Sequence, residues 1–220
     1  MRWIILSLFA TLSFICLGQS LKLAQLQYSG GGDYYANTTA LKNLSIFCNN
    51  NLQTEINSDY EYIKPNINEL LSKPFVHLTG HGNVVFSPSE REALRKYLLN
   101  GGFLHIDDNY GMDQFIRPEI QKIFPDKELE LVPLTHAIYN SPYKMEEGLP
   151  KIHEHDGKAT EGWGIFNEGE LVLFYSYESD LSDGWENKEV HNDPDNVRLS
   201  ALRMGANLVH YAFTRSSKKQ

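Results

Sequence analysis

Cysteine is nearly missing from this chain: there are 2 in 220 residues, Cys16 and Cys48. Cys16 sits in an N-terminal apolar stretch, so a chain cut after that stretch keeps one thiol and forms no internal disulfide. That excludes a disulfide-stapled scaffold. Positive charge is scarce as well. The formal net charge is -8, and no basic cluster is longer than Lys218-Lys219 in the tail. A phosphate-backbone partner needs the opposite balance, so nucleic acid is not an expected partner. Three catalytic or cofactor signatures are also absent: the G-x-S-x-G esterase elbow, the nucleotide P-loop with its Lys and Ser/Thr, and the dinucleotide glycine fingerprint. No internal repeat or low-complexity tract is visible.

What is present begins with a leader. Met1-Arg2 precedes an apolar run from Trp3 to Leu17, relieved by Ser7, Thr11 and Ser13 and closed by Gly18-Gln19-Ser20. This order of basic, apolar and small residues predicts a cleavable signal peptide over 1–19 and export to the periplasm or the extracellular space. The run falls short of the ~20 residues of a bilayer span, so membrane contact is expected only through an uncleaved leader. Bulky Phe14 and Ile15 stand before Cys16 where a lipid-attachment signal wants small residues. One domain is expected over 20–215, followed by a disordered tail at 216–220.

Along the domain, apolar and polar residues alternate from Leu21 to Tyr28, which predicts a strand emptying into Ser29-Gly30-Gly31-Gly32-Asp33. A helix over Thr38 to Asn51 carries Cys48 as a packed thiol. A second strand follows around Tyr60 to Ile63, then a short helix from Asn66 to Leu71. Phe75 to Thr79 forms the next strand and breaks at Gly80-His81-Gly82. Ser87-Pro88-Ser89-Glu90 has the cap serine, the first-turn proline and the third-position glutamate of a capping box. The helix it opens stops at Asn100-Gly101-Gly102. Phe103 to Asp107 is a buried strand, Asp113 to Phe124 a helix that Pro118 disturbs, and Glu128 to Leu134 a short strand. Thr135 to Thr160 shows no regular pattern. Trp163 to Phe166 and Glu170 to Tyr177 flank Asn167-Glu168-Gly169 as a hairpin, and a long helix spans Asp195 to Thr214. Strand and helix alternating at this spacing predict an α/β fold: a mostly parallel sheet covered on both faces, with an antiparallel hairpin at its edge.

Several of these stretches together resemble a bacterial family, domain of unknown function 4159. They are the opening Leu-Gln-Tyr strand with Gly30-Gly31-Gly32-Asp33, and the run from Ser87 through Gly101-Gly102-Phe103-Leu104-His105-Ile106-Asp107-Asp108. The Gly162-Trp163 strand and the closing Arg203-Met204-Gly205-Ala206-Asn207-Leu208-Val209-His210-Tyr211-Ala212 complete the set. The resemblance implies a branch of the class I glutamine amidotransferase-like fold, related in shape to trehalose-utilisation type proteins. That is a flavodoxin-like three-layer α/β/α sandwich. Active amidotransferases carry a cysteine nucleophile on a strained strand-to-helix turn. Here the corresponding turn reads Asp107-Asp108-Asn109-Tyr110-Gly111, so glutaminase activity is not expected.

In an open α/β sheet, ligands bind outside the carboxyl ends of the strands, where strand order reverses. The expected ligand-binding residues are therefore Gly30, Gly31, Gly32 and Asp33, then Gly80 and His81, then Asp107, Asp108 and Asn109. Glu178 to Asp180 join them if their strand runs the same way. Asp107 and Asp108 are neighbours on an extended chain and point to opposite faces. His105 reads as a hydrogen-bonded core histidine. The three glycines could cradle an anion on backbone N–H groups, though a turn allowing close backbone approach explains them more simply. Asp33, His81 and Asp108 offer N and O ligands for zinc or another divalent ion, if they converge. His153-x-His155-Asp156 reads as a solvent-exposed loop. Tyr34, Tyr35, Tyr110, Trp163 and Trp185 stand beside these loops, either as aromatic surfaces suited to a glycan or peptide or as ordinary loop anchors.

The expected function is a non-catalytic ligand-binding or interaction module of the bacterial cell envelope, contacting a glycan, a peptide or an envelope protein. The alternative is a metal-dependent hydrolase acting on a glycan or peptide through Asp33, His81 and Asp108. The resemblance also suggests a structural partner within a larger membrane assembly.

Overall fold

A computed structural model describes residues 21–216. The expected signal peptide and residues 217–220 of the tail lie outside the described residues. In chain order the elements are β1 (Lys22–Leu26), α1 (Ala40–Leu52), β2 (Asn57–Ile63), α2 (Ile67–Leu70), β3 (Val76–Leu78), α3 (Pro88–Leu99), β4 (Leu104–Asp107), α4 (Asp113–Ile123), β5 (Glu130–Leu131), β6 (Glu161–Asn167), β7 (Glu170–Tyr177), α5 (Lys188–His191) and α6 (Asp195–Ser216). The seven strands form one sheet in the order β2-β1-β3-β4-β7-β6-β5. β1 to β4 and β7 run parallel, while β6 lies antiparallel to both of its neighbours.

Two apolar layers sandwich the sheet, and the two-residue period of the strands decides which residue joins which layer. Val76, Leu78, Leu104 and Ile106 pack with Leu94, Leu98, Ile116 and Ile120 of α3 and α4. The opposite face packs Leu23, Phe75, Phe103 and Phe174 against Leu41 and Leu44 of α1 and Met204 and Leu208 of α6. Cys48 is buried in that second layer, a packed thiol as expected. Trp185 is also fully buried there and gives its indole N–H to Ala201 O at 2.8 Å. It is a core residue, not the recognition surface that its loop position suggested.

Local chemistry explains the element ends. At α3, Ser87 Oγ accepts from the Glu90 N–H and the Glu90 carboxylate accepts from the Ser87 N–H, the reciprocal capping box, with Pro88 in the first turn. Such a cap stabilises a helix by about 1 kcal/mol. The β6-to-β7 turn places Glu168 (φ 52°) and Gly169 (φ 81°) both in the left-handed region, as a two-residue hairpin requires. α4 runs through Pro118 unbroken, because Ile116, Ile120 and Ile123 bury one face of it. α6 continues two residues past the expected end at Thr214. The Arg215 guanidinium donates to the carbonyls of Leu171 and Gly101, at 2.9 and 3.0 Å, and to that of Gly102.

The segment between β5 and β6 carries one short 3-10 helix, Ala137–Tyr139, and is otherwise held by long-range hydrogen bonds. Buried Asn207 of α6 donates to the Ile138 and Tyr143 carbonyls, at 3.0 and 2.7 Å, and accepts from the Tyr143 N–H at 2.8 Å. Farther on, Ile152 N–H donates to Ser179 O at 2.9 Å and Ser179 Oγ to Pro150 O at 2.7 Å. These two bonds pin residues 150–152 to the loop after β7, which sets His153 and His155 at the end of the sheet. Among the described residues no helix is long and apolar enough to cross a membrane.

Candidate functional site

β1, β3, β4 and β7 are mutually parallel, so the loops that follow them gather at one rim. The order reverses between β1 and β3, because the chain leaves β1 for β2 on one side and returns to β3 on the other. Since β7 runs with β4, the loop after Tyr177 belongs to the same rim, which meets the condition set on Glu178 to Asp180.

At the switch point the glycines serve the backbone. The Gly32 N–H donates to Asn83 O at 3.0 Å, and Ser29 pairs with Val85 in an isolated antiparallel bridge. A Cβ on Gly32 would lie 2.7 Å from His81 O and 2.8 Å from Asn83 O, while one on Gly80 (φ 136°) would strike the Tyr28 hydroxyl. Close approach of two loops therefore accounts for Gly32 and Gly80. The packing brings Asp33 onto His81. Its carboxylate accepts from the His81 N–H, and His81 Nδ1 stands 3.1 Å from Asp33 Oδ2, with the two side chains 33% and 52% exposed.

Asp107 at the end of β4 and Asp108 just after it turn to opposite faces. Asp107 is fully buried and accepts from Ser176 Oγ (2.6 Å), Leu181 N–H (3.0 Å), Ser182 N–H (2.6 Å) and Ser182 Oγ (2.6 Å). Burial pushes its carboxyl up to about 6, against the pull of those donors. Behind it runs a sealed relay. Ser176 gives its proton to Asp107, so His105 Nε2–H must donate to Ser176 Oγ (3.0 Å). His105 Nδ1 then accepts from His77 Nδ1–H at 3.0 Å. Burial drops both imidazoles, His77 to about 3 and His105 well below its usual range, so both are neutral. Ser176, His105 and Asp107 thus meet as in a nucleophile triad, but in the wrong order, the serine between histidine and aspartate, and fully buried. His105 is a core histidine.

Asn109 joins a second set of contacts beside Asp107. Its Oδ1 accepts from Thr79 Oγ1 at 2.7 Å and its Nδ2 donates to Asp183 Oδ1 at 3.1 Å. Asn37, in the left-handed region at φ 59°, donates from Nδ2 to the same Asp183 oxygen at 2.7 Å and to Ser182 Oγ at 2.6 Å.

Asp108 faces the other way, into a cavity of about 330 Å³ whose walls include Tyr110, Asp113, His155, Lys158, Tyr177 and Glu178. The residue is 2% exposed, yet its Oδ1 has no hydrogen-bond partner. Burial first, and then the nearby Asp113 carboxylate, push the Asp108 carboxyl up to about 7. Tyr110 is 62% exposed and stands edge-on to His155 with ring centres 5.7 Å apart. A larger hollow of about 740 Å³ lies among residues 144–151, 157–160 and Arg203. None of the buried polar atoms that lack a partner belongs to it.

The loop after β7 and the segment before β6 supply the densest ionisable group. His155 Nε2 lies 2.6 Å from Asp180 Oδ2, and His153 Nδ1 lies 3.0 Å from Asp183 Oδ2 and 3.4 Å from Asp180 Oδ2. His153 Nε2 meets Asp193 Oδ1 at 3.2 Å, and His191 Nε2 meets Glu186 Oε2 at 3.2 Å. The hydrogen bonds to Asp180 and Asp183 lift His153 up to about 10. Burial raises the Asp180 carboxyl, but His153 and His155 outweigh it and hold that group below its ordinary value. Glu178 (φ 58°) and Asp180 (φ 49°) both adopt left-handed backbone. Asp tolerates this conformation, but for Glu178 it is uncommon, and such strain collects at functional sites.

The expected site residues therefore separate into two groups. Gly30 to Asp33, Gly80 and His81 form one, in which Asp33 and His81 touch. Asp107, Asp108 and Asn109 lie in the other, where Asp108 keeps company with Asp113, Tyr175 and His155 rather than with His81. The residues the sequence did not single out are Asp183, Glu186, His191 and Asp193, and the His153-x-His155 loop is half-buried among carboxylates instead of standing in solvent. Their signal was the crowding of Asp, Glu and His through 153–195 on either side of the last sheet strand.

A family model, described as "Domain of unknown function (DUF4159)", matches residues 22–213. No curated protein matches the chain.

Proposed function

We propose, for a chain that belongs to the DUF4159 family, that it is an exported binding module of the bacterial cell envelope. In this reading it is a branch of the glutamine amidotransferase-like fold that has lost acyl transfer, and it holds a small hydroxyl-rich ligand of the glycan class. The observation that carries the reading is Asp108: a carboxyl 2% exposed, facing a cavity, with one oxygen lacking any partner. A buried acceptor without a donor is costly, by about 1–3 kcal/mol; Oδ1 is closed off from solvent, so a ligand hydroxyl supplies the missing donor once the Asp108 side chain turns into the cavity it lines. Standing near pH 7, the same carboxyl can also give a proton, which suits a hydroxyl that both donates and accepts. Exposed Tyr110 offers the flat apolar face on which a sugar ring packs.

The absence of a nucleophile supports binding over turnover. The elbow holds Asp107, Asp108 and Asn109 in place of cysteine or serine, and the neighbouring Ser182 hydroxyl is buried and committed to Asp107. The rival, a metal-dependent hydrolase working through Asp33, His81 and Asp108, has only the Asp33–His81 contact in its favour.

Titration calorimetry with soluble cello-, chito- and manno-oligosaccharides tests the reading. At least one series binds, and Asp108→Ala weakens it at least tenfold. Failure of all three series to bind, or hydrolysis of any of them that disappears in Asp108→Ala, overturns it. Export is tested by cell fractionation and by N-terminal sequencing of the mature chain, expected to begin at Ser20.

A further inference from the structure

The Asp108 cavity does not use the two imidazoles that converge on Asp183. His153 Nδ1 stands 3.0 Å and His191 Nε2 3.7 Å from Asp183 Oδ2, and one ligand atom from each of the three residues lies within 4.8 Å of the other two. Ligand atoms of a tetrahedral zinc, each about 2.0 Å from the metal, stand about 3.3 Å apart, so closure by no more than about 1.5 Å lets them share one ion.

Their surroundings have the form that metal ligands need. His153 turns its other nitrogen to Asp193 Oδ1 at 3.2 Å, the carboxylate placement that fixes the tautomer and orientation of a metal-bound imidazole. Asp183 has its Oδ1 occupied by the amides of Asn37 and Asn109, at 2.7 and 3.1 Å, which leaves Oδ2 turned to the two rings. An independent sign comes from Asp180. It is 5% exposed, its Oδ2 is 3.4 Å from His153 Nδ1, and its Oδ1 has no partner. His155 Nε2 holds Asp180 Oδ2 at 2.6 Å, so it is Oδ1 that is left as a buried oxygen without a donor, a cost that a cation beside it removes.

We propose that His153, Asp183 and His191 form a three-ligand site for a divalent transition metal of the zinc type, with Asp180 completing the shell. Two imidazole nitrogens favour zinc over magnesium or calcium, which take oxygen ligands. His153 and His191 are each about 30% exposed, so the ion has a path in from solvent. The site is separate from Asp33 and His81 and stands whether or not a glycan binds beside Asp108.

The test uses the purified full-length chain, stripped with a chelator and titrated with zinc in the absence of any saccharide. Cobalt substitution provides a spectrum that reports tetrahedral N/O ligation. Wild type takes up one zinc per chain. His191→Ala, a change in a short exposed helix, and His153→Ala each weaken binding more than tenfold. Asp193→Asn weakens it about 10- to 100-fold, and His81→Ala leaves it unchanged. The proposal is overturned if wild type binds no stoichiometric zinc, if both His191→Ala and His153→Ala retain wild-type affinity, or if His81→Ala is the variant that loses it.

Discussion

The rim of the sheet has two halves that solve different problems. On the β1 and β3 side, glycines let two loops touch through their backbones, the ion pair of Asp33 with His81 stands largely open to solvent, and the buried atoms without a partner, Gln25 Oε1 and His77 Nε2, are uncharged. On the β4 and β7 side, Asp107, Asp108, Asp180, Asp183, Glu186 and Asp193 are buried, and three of them keep an oxygen without a partner. Taking carboxylates out of water costs more than their pairing returns. The half that buries carboxylates is the more expensive to build, and strain and cost of that kind collect at functional sites.

The largest break of this contrast is Asp107→Ala. It leaves the Leu181 and Ser182 N–H groups buried with nothing to accept from them, and the Ser176 and Ser182 hydroxyls with only the longer contacts to Ile106 O (3.2 Å) and Thr79 Oγ1 (3.3 Å), so a loss of about 3–5 kcal/mol is expected. Urea denaturation should read this as a large fall in midpoint at constant slope. A midpoint within error of wild type contradicts the clamp.

Asp108 gives the next effect, in its pH dependence. Its carboxyl stands at about 7 when folded, against an ordinary value near 4. The folded state therefore holds the proton more tightly than the unfolded chain does. The stability that Asp108 contributes is complete below about pH 4 and is lost as pH rises through about 7. Asp108→Asn should flatten that decline by on the order of 3–4 kcal/mol between pH 4 and pH 8. Parallel stability curves for the two proteins would show an unperturbed carboxyl.

Gly32→Ala tests the other half. The added Cβ meets two carbonyl oxygens and the Tyr28 ring, so about 1–3 kcal/mol should be lost, with zinc affinity intact. Smallest of all is Asp33→Ala. An exposed pair contributes little, and the unfolding midpoint should stay within about 0.5 kcal/mol of wild type. A fall as large as that of Asp107→Ala would erase the distinction between the halves.

The sheet, the order of its elements and the capping box at Ser87 were legible in the sequence, because each rests on local period or on a cap that one stretch of residues specifies. The split of Asp107 and Asp108 between faces was legible for the same reason. Two other matters were not. Whether Asp33, His81 and Asp108 converge depends on where three loops travel after leaving their strands, and no local pattern records that. The segment through His153 and His155 has no period at all. Its position is set by long-range bonds, Ile152 to Ser179 and Asn207 to Tyr143, that join residues far apart in sequence. His153 therefore reads as a loop residue until the chain that faces it is known.

The assignment of chemistry to the β4 and β7 half is tested most directly by anomalous diffraction from crystals of the chain soaked in zinc. A single strong peak is expected between His153 Nδ1, Asp183 Oδ2 and His191 Nε2. A peak at Asp33 and His81, or density at neither place in zinc-saturated crystals, would put the account on the wrong side of the sheet.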